Sequence, residues 1–298
     1  MDAKLDHRCF ALAASADTDS YTEHGDLVAI RSIRRTNPGV PIVVLHSGFS
    51  ERQKRMFDSV TFVLVPNEGF IRSDHFKGVR PDVPDATFFH LSIERIVDFD
   101  TVIYVDGDTV VLDNLDELFA MDVPFAGRLM DGYPLAREFE DGEKLLASEG
   151  ITNDLVLNAG VMRYDLRYWR EAGLTREALN LGKTYGWDAF KYVDQGLLNL
   201  VVRKKNVLTP FSRLYNFCRY PDMLRLEHKI VVNDLGLKAP LVSEGMAKVV
   251  HWTGPIKPWH PQARAPELAA SFCLECYEQL VVVQFEILAA RIARQSVA

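Results

Sequence analysis

The chain has 298 residues, 48% of them hydrophobic and 25% charged, and its 41 acidic against 34 basic side chains leave a formal charge of -7. That composition is ordinary for a globular chain whose core needs no covalent staples, and the acidic balance repels a polyphosphate backbone, which excludes nucleic acid as a partner. The four cysteines, Cys9, Cys218, Cys273 and Cys276, are too few and too scattered for a disulfide framework and read as reduced thiols.

In chain order, Lys4 and Arg8 precede a short apolar stretch ending in Ala14-Ser15-Ala16, which mimics an export leader. Its apolar part, Cys9 to Ala13, is shorter than the roughly seven residues a leader needs, and no run elsewhere approaches a membrane span, so a cytoplasmic location is expected. Residues 9–15 read instead as a buried strand. Residues 21–35 carry Leu27, Ile30, Ile33 and Arg34 at helical spacing and close at Pro38-Gly39. A second strand over 40–46, a short helix over 51–57 and a third strand over 60–65 alternate in the order that builds a parallel sheet. Residues 67–86 form a loop rich in Gly, Pro and charge. Residues 87–97 return to helical periodicity with Phe88, Phe89, Leu91 and Ile96 inward, and residues 101–105 are β-branched and aromatic, as in a strand. Further strands are expected over 125–129, 160–164 and 249–252, and a helix over 187–200. After Pro266 a long helical run covers 267–294, with apolar residues for covering the core or a homodimer face; peripheral membrane association is the alternative. The expected division is a main domain over 1–265 and a helical extension over 266–298.

The strand over 101–105 runs into Asp106, Gly107 and Asp108. Ligands of open parallel sheets collect outside the carboxyl ends of the strands, which is where this acidic pair lies. Residues two apart in an extended segment point to the same side, and Gly107 leaves the backbone room to turn, so the two carboxylates can converge on one cation. Hard oxygen ligands suit magnesium or manganese. Solvated acids at a strand end are the bland alternative. A hydrophobic strand followed by DGDTVV also matches the first motif of the haloacid-dehalogenase-like phosphatases, whose first Asp is the nucleophile. That motif belongs near the start of its fold, whereas three strands precede it here, and the later landmarks are of another kind.

Those landmarks are NAGVMRYDLRYWR from Asn158, DQGLLN from Asp194 and HWTGPIKPW from His251. With the DGD strand and the NLDELF after it, in this order and spacing over residues 10–259, the set resembles the retaining glycosyltransferases of family 8. The resemblance implies an α/β fold of the GT-A nucleotide-diphospho-sugar transferase type, a Rossmann-like, mostly parallel sheet flanked by helices. It implies transfer of glucose or galactose from a UDP-sugar to a glycan or other hydroxyl acceptor. It also implies a manganese ion, with magnesium as the alternative, held by Asp106, Asp108 and His251, where a cation would stabilise the charge on a departing diphosphate. Alone, His251 would read as a structural histidine and Lys257 as a solvated lysine; within HxxGxxKPW, Gly254 permits a turn and Lys257 is implied at the diphosphate.

By the same resemblance Asn158, Asp194 and Gln195 face the donor sugar, with Asp194 and Gln195 as the catalytic residues near the anomeric carbon. Asp131 is a further sugar-binding acid once a short insertion is allowed. Asp17 and Tyr21 are candidates to bind and stack the uracil base, although Tyr21 reads equally well as a core residue at a helix start. One position departs from the pattern: relatives carry Arg or Lys where His90 stands, and a neutral imidazole would contact phosphate or sugar more weakly, with Arg80 or Arg95 able to compensate. Residues 134–153, charged and without strong periodicity, are where an acceptor pocket would differ among relatives. Retention can arise by double displacement through Asp194 or Gln195, or by front-face return, in which the departing phosphate takes the acceptor proton; the second asks only for positioning and charge stabilisation. A binding module without turnover is the remaining reading, disfavoured because every implied ligand except that at His90 is present.

Overall fold

Short runs of β-branched and aromatic residues, each flanked by helix-forming sequence, assemble the central sheet. The computed structural model describes residues 7–15, 21–55, 57, 59–218, 229–232, 238–254 and 257. Strands β1 (Arg8–Ala14), β2 (Ile42–His46), β3 (Thr61–Leu64) and β4 (Thr101–Val105) are parallel neighbours. β5 (Thr109–Val111) leaves the sheet, while β6 (Phe125–Pro134), β7 (Leu155–Asp165) and β8 (Leu208–Pro210) complete it in the order β3-β2-β1-β4-β7-β6-β8. β7 is antiparallel to both β4 and β6, and β6 and β8 are parallel, so the sheet is mixed but mostly parallel. Four short strands follow, β9 (Phe217–Cys218), β10 (Lys229–Val232), β11 (Lys238–Val242) and β12 (Gly245–Met246), and then β13 (Val249–His251). β5, β13 and β9 make a second small sheet, and β10 to β12 a third.

The period of two along the strands sorts side chains between two cores. Cys9, Ala11, Val102 and Tyr104 face one, and Phe10, Leu12, Ile103 and Val105 the other, all of them buried. A strand covered on both faces must be apolar throughout, which is why β4 reads as a continuous TVIYV. One face is covered by α1 (Tyr21–Thr36), with α2 (Glu51–Lys54) beside it and α3 (Asp116–Phe119) beyond. Leu27, Ile30 and Ile33 of α1 are buried there, each worth about 1.5–3 kcal/mol relative to exposure. On the other face lie α5 (Leu166–Ala172), α6 (Leu174–Tyr185) and α7 (Val193–Lys204), together with a 3-10 segment, Asp85–Arg95.

Strands β6 and β7 run well beyond the expected 125–129 and 160–164, and four further segments differ from their sequence patterns. The helix expected over 87–97 is 3-10 and kinked at Ser92, because every residue from Phe88 to Glu94 is buried, which one face of an α-helix cannot provide. The helix expected over 187–200 splits into a 3-10 turn, Trp187–Ala189, and α7, because Phe190 is extended and bridges Phe139. Residues 134–153 are ordered by a 3-10 turn, Leu135–Glu138, and α4 (Gly142–Ser148), with Leu145 and Leu146 buried. The helix expected over 51–57 ends at Lys54, after a capping box between Ser50 and Gln53. Cys9 and Cys218 are buried free thiols, as the sequence predicts. The helical extension over 266–298, with Cys273 and Cys276, lies outside the described residues. Among the described residues no helix is long and apolar enough to cross a membrane.

Candidate active site

β4 ends at Val105 and the chain turns at once. Asp106 N donates to Gly160 O at 2.8 Å, and Asp106 O accepts from Thr109 N at 3.2 Å and Thr109 Oγ1 at 2.8 Å. The two acids therefore sit on a tight turn, not on the extended segment the spacing suggested, and the turn still brings their carboxylates together. A Cβ on Gly107 would lie 1.8 Å from Asp26 Oδ1, so any other residue there would have to displace the Asp26 carboxylate. β5, leaving the turn, pairs antiparallel with β13, with Thr109 opposite His251, and Trp252 N donates to Asp108 O at 2.9 Å. That ladder delivers the distant imidazole to the acidic pair. β7 makes room for the ring, because a Cβ on Gly160 would lie 2.0 Å from His251 Cε1.

His251 Nε2 is 3.1 Å from Asp108 Oδ1 and 3.7 Å from Asp106 Oδ2, and one ligand atom from each of the three residues lies within 4.8 Å of the others. Two carboxylate oxygens and an imidazole nitrogen fit a divalent ion such as manganese or magnesium. Asp108 Oδ1 is buried and faces His251 Nε2, an acceptor suited to a cation shared with the imidazole. The imidazole is oriented by a chain of amides that begins at the backbone. Gly160 N donates to Asn158 Oδ1 at 3.1 Å, Asn216 Nδ2 donates to the same oxygen at 2.8 Å, and Asn216 Oδ1 lies 3.0 Å from His251 Nδ1. An oxygen there obliges Nδ1 to carry the proton and turns Nε2 towards the carboxylates.

Charge is crowded here. Burial opposes the imidazolium of His251, but the charge and hydrogen bonding of Asp108, with Cys218 alongside, push it up to about 10. Burial also opposes ionisation of Asp108, yet His251 and Lys257 hold its carboxyl well below the usual range. Burial and the charge on Asp108 push Asp106 up to about 6. Lys257 Nζ pairs with Asp108 Oδ2 and donates to Trp252 O at 2.8 Å.

The acids open onto a cavity of about 580 Å³ that is also lined by Asn158, Asp194 and Gln195. Asp194 and Gln195 stand in the first turn of α7. Asp194 Oδ2 lies 3.0 Å from Nε2 of His90, whose Nδ1 is 3.2 Å from the Tyr164 hydroxyl. His90 is 1% exposed and is not among the residues lining the cavity; its ring is taken up by Asp194 and Tyr164. Gln195 Oε1 accepts from Ala159 N at 3.2 Å, and Gln195 Nε2 lies 3.2 Å from both oxygens of Glu138. Arg80 lines the cavity and pairs with Asp82 at 3.2 Å, whereas Arg95 bonds to Gly69 O and sits over Phe70, away from the cleft.

Asp131 is exposed on β6 and is not among the residues lining the cavity. Gly254 adopts φ +96°, a conformation glycine tolerates, and a Cβ there would meet nothing within 4 Å, so the backbone angle and not crowding favours glycine. Tyr21 opens α1, and Asp17 lies outside the described residues. Asn216 and Glu138 escaped sequence reading. Neither belongs to a charged pair or a recurring spacing, and only the fold brings them to the site.

A family model described as glycosyl transferase family 8 matches residues 17–263. Glycosyltransferase GlyA of Streptococcus pneumoniae is 27% identical over 187 residues, 60% of this chain and 24% of GlyA. Lipopolysaccharide 1,2-glucosyltransferase of Escherichia coli K12 is 27% identical over 187 residues, 61% of this chain and 52% of that protein. The chain thus spans between a quarter and about half the length of these two curated relatives. Its fold matches that of the galactosyltransferase LgtC, crystallised with donor and acceptor sugar analogs, with a TM-score of 0.66 at 21% identity over 93% of this chain and 95% of LgtC. None of these likenesses is to a phosphatase. With the sheet of a GT-A glycosyltransferase and a family match over most of its length, the chain belongs to glycosyl transferase family 8.

Proposed function

We propose that the protein transfers a hexosyl unit, glucose or galactose, from a UDP-sugar to a hydroxyl acceptor such as a glycan, with retention of configuration. The observation that carries this reading is the meeting of Asp106, Asp108 and His251 in a cleft whose lining includes Asp194 and Gln195. Asp106, Asp108 and His251 would hold manganese, with magnesium as a substitute. Held by these residues, a divalent cation would supply positive charge to offset the negative charge that grows on a departing diphosphate. Lys257 adds a cation beside the same carboxylate, and Asn158, which lines the cleft, is assigned to the donor sugar.

The hydrogen bonds of Asp194 and Gln195 favour front-face return over double displacement. Gln195 Oε1 already accepts from Ala159 N, and Asp194 is hydrogen-bonded to buried His90, so both side chains are fixed to position and stabilise a cationic sugar more readily than to attack it. Asp17, Tyr21, Asp131 and Gly254 remain candidates for the base, the sugar and the turn that carries Lys257. A cytoplasmic location, and an extension over 266–298 that either covers the domain or forms a homodimer face, belong to the same reading.

The test is release of UDP from UDP-glucose or UDP-galactose. Turnover should require manganese and fall below detection in Asp108→Ala, while full turnover with a chelator present would contradict the assignment. The phosphatase reading has only the DGDTVV run in its favour; it would require metal-dependent hydrolysis of p-nitrophenyl phosphate with no need for a nucleotide.

A further inference from the structure

The Gln195 amide is held from both sides. Its Oε1 accepts from Ala159 N at 3.2 Å and from Asn158 Nδ2 at 3.4 Å, and its Nε2 faces both oxygens of Glu138 at 3.2 Å. A backbone N–H on one side and a carboxylate on the other admit a single orientation of the amide. Glu138 is 3% exposed and is not among the residues lining the cleft, and its side chain connects to the cleft through Gln195.

The backbone around Glu138 braces the same place. Lys191 N donates to Glu138 O at 2.9 Å, Glu140 N donates to Ala189 O at 3.0 Å, and Phe139 bridges Phe190. A Cβ on Gly196 would lie 3.2 Å from Glu138 O, so α7 starts in close contact with this turn. Between the tethers stands Val193 with φ +37°, a conformation unfavourable for a β-branched residue that persists only where its surroundings over-determine it. The strained residue immediately precedes Asp194 and Gln195.

We propose that Glu138 is a positioning residue of the reaction centre: its buried carboxyl fixes the Gln195 amide, and its turn braces the strained start of α7 that presents Asp194 and Gln195. The kinetic consequence rests on the glycosyl-transfer reading, whereas the orientation of the amide does not. Because the turn Leu135–Glu138 lies in the segment expected to shape the acceptor pocket, changes there are transmitted to Gln195. The charged groups facing Glu138 are Asp194 from α7 and Arg137 from its own turn, and burial pushes its carboxyl up to about 8.

Glu138→Ala and Glu138→Gln distinguish positioning from mere packing. Glu138→Ala is expected to lower kcat roughly 10- to 100-fold with the donor KM changed less than about twofold. Glu138→Gln should stay within about threefold of wild type, since its Oε1 accepts the same hydrogen bond. Independently of turnover, the Gln195 side-chain amide signals in a 1H–15N spectrum should move with a midpoint of about 8 in the wild type and stay still in Glu138→Gln. Wild-type kcat in Glu138→Ala, a Glu138→Gln variant as slow as the alanine, or a wild-type Gln195 amide insensitive to pH would each overturn the proposal. Should the alanine variant not fold, the glutamine variant and the wild-type titration decide. A wild type that turns over no UDP-sugar would sink the functional reading alone, and the titration would still judge the amide.

Discussion

Asn216 is fully buried and touches both halves of the site, accepting the Nδ1 proton of His251 through Oδ1 and holding Asn158 through Nδ2. A ligand imidazole that loses such a partner can rotate and change tautomer, which typically lowers metal affinity roughly 10- to 100-fold. Asn216→Ala should therefore weaken manganese binding by about that factor, measured by paramagnetic resonance of the free ion; unchanged affinity would deny the amide this role. Nothing in RLYNF marks the residue beforehand. His251 was legible only through its motif, because one histidine on a short strand has no local signature. His90 was legible as a departure, but its meaning was not: the partner that explains it, Asp194, is distant in sequence and arrives only when α7 packs against the 3-10 segment.

At the scale of elements, the ladder between β5 and β13 turns separate motifs into one site, and β7 determines whether it can close. Gly160→Ala would place a methyl 2.0 Å from His251 Cε1, where overpacking typically costs about 1–3 kcal/mol. The variant should fold with a lowered melting temperature and bind manganese at least tenfold more weakly; wild-type affinity in calorimetry would show that β13 can move without disturbing the ligands. Strands β1, β2 and β4 were legible nearly to the residue, since a doubly covered parallel strand must be apolar along its whole length. The helical periods over 87–97 and 187–200 misled for a tertiary reason. Phe88, Phe89 and His90 are all required inside, and Phe190 is required to pair with Phe139, so local propensity yields in both places.

For the molecule as a whole, two buried carboxyls contribute a pH dependence of stability in the neutral range. Burial pushes Glu94 up to about 7 and Glu138 up to about 8, and Glu94 Oε2 is buried without a hydrogen-bond partner. Both folded values lie above the ordinary glutamate value of 4.5, so the favourable contribution is fully present below about pH 4.5 and is lost as pH rises through 7 to 8. For Glu94 a change from 4.5 to about 7 corresponds to at most about 3 kcal/mol. The melting temperature should fall between about pH 5 and pH 9, and Glu94→Gln should flatten part of that fall; a profile identical to wild type in differential scanning calorimetry would contradict it.

What the sequence determined by itself was the alternation of buried strands and helices, the acidic pair at a strand end, and the family, because apolar continuity and short motifs are local and survive without knowledge of neighbours. Tertiary structure alone decided that His251 reaches the pair through β13, that His90 pairs with Asp194, and that Glu138 and Asn216 hold the amides in place. Those contacts join residues far apart in the chain, and their chemistry depends on distance and burial, which no local pattern records.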